Sequence, residues 1–387
     1  MTNVYIGVVV FVLVIGASLG ILSRTENSAL ETVKSELEDT VEAVSTLATT
    51  SPSSLTADII FALDVPKKEN VPQDALSTPP RSISADTVPV PADFTFKPEW
   101  RDTVVNLICA NNYGESMTSG SGVMVDPRGV ILTNAHVATS FLFGDWPSPS
   151  LFNCSVRVGS PAYPAYRAVL LYIPDEYVRD TVAQLYKPDD SAYIYGENDY
   201  ALLLISGRTN PSASLPASFA SLPLSTGSIS PSGAFQYMLG YPAGFLGGQT
   251  VLRDLYMISS PVAVQETRMI GGGAGVDTMV FNGSIAGQHG SSGGAVIGHE
   301  GTLTGIPTFM DGEAGPTTDD NVLNAISINY INRDLKQDTG FTLNEFLARS
   351  DLKAIADEFI KQHGDEYRHL YTDSWKKHQQ ILIPGAQ

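Results

Sequence analysis

Cysteine is almost absent from this chain. Two occur in 387 residues, Cys109 and Cys154. That is too few for a disulfide scaffold, and they lack the paired spacing of a zinc site. They form either one bridge or two small thiols, and sequence leaves both open. Basic residues are also scarce, with 23 Lys and Arg against 41 Asp and Glu and a formal net charge of −18. No Lys/Arg-rich run exists, which argues against a nucleic-acid partner. The glycine-rich "GGGAGVD" at residues 271–277 lacks the Lys-Ser/Thr that a phosphate loop needs and sits among hairpin-like segments. No metal and no other cofactor is expected.

Charge is missing altogether from residues 4–22, "VYIGVVVFVLVIGASLGIL". At about 1.5 Å per residue this helix would span roughly 29 Å, close to a bilayer's hydrocarbon core. No Lys or Arg precedes residue 24, so the basic start of a cleaved signal peptide is absent. Residues 1–23 therefore read as a transmembrane anchor, which makes a single-pass membrane protein. Arg24 and Lys34 follow the segment, and the positive-inside rule would put the body in the cytoplasm. The tether, the acidic surface and the cysteine pair fit an extracytoplasmic domain, and that is the expectation carried forward against the flanking charges.

Residues 24–98 read as a stalk. Leu30, Val33, Leu37, Val44 and Leu47 follow heptad-like spacing interrupted by Thr40. This suits either a homo-oligomerising helix or a solvated one. The Ser/Thr/Pro-rich stretch beyond it buries too little apolar surface to order itself and reads as a linker. From residue 99 short apolar runs alternate with Gly, Pro, Asn and Asp turns, the pattern of an all-β fold. This domain is assigned to residues 99–335. Residues 174–186, "PDEYVRDTVAQLY", interrupt it with helical spacing at Tyr177, Val178, Val182 and Leu185. Residues 336–387 read as a helical extension that packs back on the β core.

Side-chain bulk is nearly missing from "GQHGSSGGAVI", residues 287–297. Ser292 lies between small residues, where its hydroxyl can be held out on a tight turn. Glycine at 290 lets its N–H turn toward the same point as the N–H of Ser292, a ready oxyanion pocket. A serine nucleophile also needs a base, and the base needs an orienting partner. Of the six histidines, His363, His369 and His378 lie in the polar tail, His299 sits in a turn, and His289 is too near Ser292 to reach back. His136 ends the strand–turn–strand block "GVMVDPRGVILTNAHVA". The acid is sought at a strand edge, and Asp199 in "NDYALLLI" sits there, whereas Asp189, Asp190 and Glu197 lie among polar loop residues.

The order His136, Asp199, Ser292, with "GSGVMVDPRGVILTNAHVA", "NDYALLLI" and "GSSGGAVIGHEGTLTGIPT", resembles the chymotrypsin-like serine proteases, and within them the bacterial HtrA/Deg-type branch. The resemblance runs over residues 100–335 or so. It implies two six-stranded antiparallel β-barrels with the site in the cleft between them. Ser292 would be the nucleophile, His136 the base and then the acid, and Asp199 the orienter, with Gly290 and Ser292 N–H groups as the oxyanion hole. Thr308, Phe309 and Met310 would pair with substrate backbone. Ala286, Thr308 and Met310 would border the pocket for the residue before the cut, and none is charged, so an apolar side chain of small or medium size is expected there. Ser291 replaces the aspartate by which many secreted relatives bind a new N-terminus, so activation by such a cut is not expected. Only residues 336–387 follow, so no PDZ module is expected. The functional expectation is a membrane-tethered endopeptidase acting on polypeptides in envelope quality control or processing. The alternative is an inactive or chaperone-like binding module on the same barrels.

Overall fold

In a computed structural model the chain is described over residues 90–382, apart from 112–116, 145–151, 185–196, 228–229, 245, 247, 270–275, 282–283 and 312–321. The expected anchor at 1–23 and nearly all of the expected stalk lie outside the described residues. So do most of the glycine-rich 271–277 loop and the acid alternatives Asp189 and Asp190. Among the described residues no helix is long and apolar enough to cross a membrane.

Among the described residues twelve strands form two closed barrels. The first contains β1 (Val104–Asn111), β2 (Met117–Asp126), β3 (Val130–Thr133), β4 (Phe152–Val158), β5 (Tyr163–Tyr172) and β6 (Ala201–Arg208), in the order β1-β2-β3-β6-β5-β4. The second contains β7 (Phe235–Gly240), β8 (Ile258–Arg268), β9 (Thr278–Phe281), β10 (Ala295–Ile297), β11 (Leu303–Asp311) and β12 (Val322–Ser327), in the order β10-β11-β12-β9-β8-β7. Every pairing between these strands is antiparallel. Each sheet closes on itself, but the short β10 pairs with β11 only at Leu303 and Gly305, so beyond residue 305 one side of β11 has no partner in β10.

Successive strand residues point to opposite faces, and here both faces are covered. Val105, Leu107 and Cys109 of β1 join one buried cluster with Met124, Ile131, Leu203 and Ile205. Their neighbours Val104 and Ile108 join another that also holds Leu239, Ile297, Leu303 and Ile306 of the second barrel. That second cluster is the seam between the barrels, and it explains why "ALLLI" in β6 reads as an unbroken apolar run. A third cluster, with Met238, Val264, Phe281 and Val296, belongs to the second barrel alone. Cys109 and Cys154 lie directly opposite each other in the β1–β4 register and form a disulfide. The register, which sequence alone does not supply, decides between the two alternatives.

Among the described residues six α-helices decorate the barrels: α1 (Ala135–Ala138), α2 (Asp175–Gln184), α3 (Gly248–Arg253), α4 (Ile328–Thr339), α5 (Leu343–Leu347) and α6 (Leu352–Leu382). Helix α2 is the expected insert, with Asp175 and Glu176 in its first turn, where they complement the helix dipole. Helix α4 begins under the cap of Ser327, whose hydroxyl accepts from Tyr330 N, and ends at Gly340 with φ +81°. The boundary drawn from sequence at residues 335 and 336 falls inside this helix. Helix α6 lays Phe359, Ile360, Tyr367, Leu370 and Tyr371 against the first barrel's cluster. The ring of His363, a residue of the polar tail, packs 5.0 Å from that of Phe359 and 5.4 Å from that of Tyr367.

Candidate active site

Each candidate side chain is positioned by the end of a strand. His136 opens the short α1 directly after β3, Asp199 precedes β6, and Ser292 lies in the turn before β10. Because β3 and β6 pair, with Thr133 opposite Ala201, the histidine and the aspartate emerge side by side. His136 Nδ1 lies 2.9 Å from Asp199 Oδ2 and 3.1 Å from Oδ1, and the His136 backbone N–H donates to Oδ1 at 3.0 Å. Thr308 Oγ1 donates to Oδ2 at 2.6 Å, and Asn134 Nδ2 donates to the Asp199 carbonyl at 2.8 Å. A carboxylate with this many donors is locked in rotation. Burial at the cleft pulls the His136 pKa down, but the charge and hydrogen bond of Asp199 outweigh it and hold the imidazole above its ordinary 6.5. Asp199 is 7% exposed, while the His136 side chain is 43% exposed and open to the cleft.

Asn198, the residue before the aspartate, has φ +59°. Asparagine tolerates this left-handed backbone. The conformation is held from α4, where Tyr330 OH accepts from Asn198 N and donates to Asn198 Oδ1, both at 3.1 Å.

Ser292 comes close to this group through Thr308. Its hydroxyl donates to the Thr308 carbonyl at 3.0 Å. Among the described residues no hydrogen bond joins Ser292 Oγ to the His136 imidazole. Thr308 thus touches both Asp199 and Ser292. The sequence-based expectation gave it two other roles, pairing with substrate backbone and bordering the pocket for the residue before the cut. Ala286 is fully buried in a short 3-10 turn over Ile285–Gly287. Phe309 and Met310 continue β11 beyond Thr308.

The turn around Ser292 is tied down carbonyl by carbonyl. Gln288 O accepts from Ser291 N at 2.9 Å, His289 O accepts from Ala243 N and Gly244 N at 2.7 and 3.0 Å, and Ser291 O accepts from Gly294 N at 2.9 Å. Gly290 O accepts from Ser121 Oγ and Ser292 O from Ser121 N, both at 2.8 Å. In a planar trans peptide the N–H points opposite to the C=O. Anchoring the His289 and Ser291 carbonyls therefore fixes where the N–H groups of Gly290 and Ser292 point. Neither of those N–H groups donates to another described residue. Gly290 adopts φ +96°, which a side chain resists. An added Cβ there would also lie 2.7 Å from Tyr241 O and 2.9 Å from Ala243 N.

Sequence reasoning missed Ser121, Tyr330 and the 243–244 segment as parts of this site. Only the flanking glycines of "GSG" hinted at the first. A Cβ at Gly120 would sit 2.6 Å from Val137 and one at Gly122 would sit 2.5 Å from Ile131, so β2 is pressed close on both sides of the serine. Glu197, the remaining acid alternative, is not hydrogen bonded to His136. Among the described residues no group of three or more His, Cys, Asp or Glu could hold a metal ion.

The trypsin-like peptidase domain family matches residues 120–306, a span that holds the His136, Asp199 and Ser292 segments. No curated protein matches the chain.

Proposed function

Because residues 120–306 are a trypsin-like peptidase domain and the protein is a serine endopeptidase, we propose that it cleaves polypeptides through Ser292 as nucleophile, His136 as base and then acid, and Asp199 as orienter. The observation that carries this reading is the pairing of a carboxylate-held imidazole with an anchored serine turn whose Gly290 and Ser292 N–H groups are free to meet an oxyanion. Asp199 keeps the His136 proton on Nδ1, which leaves Nε2 to accept. Substrate backbone pairs along Thr308, Phe309 and Met310. A substrate N–H that takes the Thr308 carbonyl displaces the Ser292 hydroxyl from its present partner. Rotation about the Ser292 Cα–Cβ bond then brings Oγ to Nε2. Oγ attacks the scissile carbonyl as its proton passes to Nε2, and the oxyanion settles on the two N–H groups. Each such donor is worth about 3–4 kcal/mol in the transition state. Collapse expels the amine with the proton from Nε2, and water hydrolyses the acyl-enzyme by the same route.

The small, buried Ala286 supports a preference for an apolar side chain of small or medium size before the cut. The Cys109–Cys154 bridge supports an oxidising compartment and hence an extracytoplasmic domain. Together with the charge-free residues 4–22, it supports a membrane-tethered protease resembling the HtrA/Deg-type branch and acting in envelope protein processing. Comparing wild type with Ser292→Ala on unfolded casein tests the mechanism. The wild type cuts, mostly after apolar residues, and the variant does not. Cleavage that survives the substitution rules the mechanism out. Casein bound without cleavage by both proteins favours the chaperone-like alternative.

A further inference from the structure

Ser121 sits in β2 of the first barrel, yet its polar atoms serve the second. It is fully buried. Its hydroxyl donates to Gly290 O at 2.8 Å and accepts from Tyr241 N at 2.9 Å. Its backbone N–H donates to Ser292 O at 2.8 Å, and its own carbonyl is held by Thr133 Oγ1 at 2.7 Å. A serine hydroxyl has one proton to give and lone pairs to receive, and here both capacities are spent on segments that shape the oxyanion turn. Gly290 has no side chain, so rotation about its backbone bonds is checked only by what holds the two peptides beside it. The peptide before Gly290 is held through His289 O by Ala243 and Gly244. The peptide after it is held through Gly290 O by Ser121, and the same hydroxyl anchors Tyr241, two residues ahead of Ala243.

We propose that Ser121 is a positioning residue for catalysis, whose hydroxyl clamps the Gly290 carbonyl and the Tyr241 N–H and so keeps the oxyanion donors of Gly290 and Ser292 convergent before substrate arrives. This rests on the serine-protease reading above. The serine of "GSG" is therefore part of the catalytic apparatus although it touches no substrate. Its loss acts on the transition state more than on substrate binding, because the donors it aims meet the oxyanion and not the substrate side chains.

The test compares wild type, Ser121→Ala, Ser121→Cys and Ser292→Ala as full chains. Active sites are titrated, so that unfolded molecules do not lower the apparent rate. The probe for the tetrahedral state is a tripeptide aldehyde carrying the side chain found before the casein cuts. Ser121→Ala is expected to lower titrated kcat roughly 10- to 100-fold, part of what full loss of one oxyanion donor costs, with KM within about threefold. The aldehyde inhibition constant rises by a similar factor, and the affinity of the cleaved product peptide hardly changes. Ser121→Cys keeps the shape with a weaker donor and acceptor and falls between the two, and it carries the test if the alanine variant does not fold. Titrated kcat and aldehyde affinity within twofold of wild type in both Ser121 variants, with Ser292→Ala inactive, overturn the clamp and leave the protease reading intact. Cleavage by Ser292→Ala overturns the protease reading itself.

Discussion

Replacing Asp199 by asparagine changes one atom in size and two in chemistry, and the surrounding donors dictate how the amide settles. Asp199 Oδ1 accepts the His136 backbone N–H at 3.0 Å, and that N–H cannot accept in return. The amide oxygen must therefore take the Oδ1 place, which puts the NH2 at Oδ2, facing Thr308 Oγ1 and His136 Nδ1. The threonine hydroxyl can rotate to accept. The imidazole can meet an NH2 only by moving its proton to Nε2, and an Nε2–H cannot take the proton of Ser292. The expected loss in kcat/KM for Asp199→Asn is about 10⁴-fold, or about 5.5 kcal/mol of transition-state stabilisation. The pH profile shifts as well. With His136 as the base, the proposed mechanism needs neutral imidazole, so the rate is expected to climb with pH through a value above 6.5, because Asp199 favours the cation against the opposing effect of burial. Without that charge, burial is left to act alone, and the residual activity climbs at lower pH than in wild type. A fluorogenic peptide assay from pH 5 to 9 reads both effects, and calorimetry shows that the variant is folded. A loss under tenfold, or an unmoved acidic limb, would refute the assignment of Asp199.

Three further outcomes are expected. Gly290→Ala forces a Cβ against Tyr241 O and Ala243 N from a backbone at φ +96°. Titrated kcat should fall about 10²- to 10³-fold, while a left-handed penalty of about 1–2 kcal/mol lowers Tm by only a few degrees; unchanged kcat in a folded variant contradicts the oxyanion assignment. The Cys109→Ser/Cys154→Ser double variant opens a 45-residue crosslink and should lose about 4 kcal/mol in denaturant unfolding; an unchanged midpoint would show that the bridge contributes nothing. Asp334 is pushed up to about 6, first by burial and then by the charges of Asp338, Glu176 and Glu197, against the bond from Tyr200. The native state thus holds a proton on Asp334 that the unfolded chain releases between about pH 4 and 6, and this group's stability contribution falls as pH rises through that window. Asp334→Asn should melt above wild type at pH 8, with the gap closing near pH 4, and a gap of equal size at both pH values would contradict this.

The candidate residues His136, Asp199 and Ser292 could be picked from the chain because each stands at a strand end flagged by local sequence. The apolar block before "TNAHVA", the run after Asp199 and the small residues around Ser292 all mark places where a side chain leaves the barrel. What supports them could not be read. Ser121 meets Gly290 across 169 residues and Tyr241 across 120, and in the sequence it looks like one more serine in a glycine-rich strand. Tyr330 reaches Asn198 across 132 residues, from a helix whose periodicity reports only its apolar face. The pairing of Cys109 with Cys154 depends on the β1–β4 register, and the present partner of Ser292 Oγ depends on a rotamer. Local pattern reports which face of an element is buried, while hydrogen bonds between distant elements follow from how the two barrels close on each other.

The most direct measurement is the site of covalent labelling by a biotinylated fluorophosphonate, mapped by peptide mass spectrometry in wild type and in His136→Ala. The account predicts a single modified residue, Ser292, in the wild type and labelling slowed at least a thousandfold without the imidazole. Modification of a different serine, or labelling of Ser292 that proceeds equally fast without His136, would contradict it.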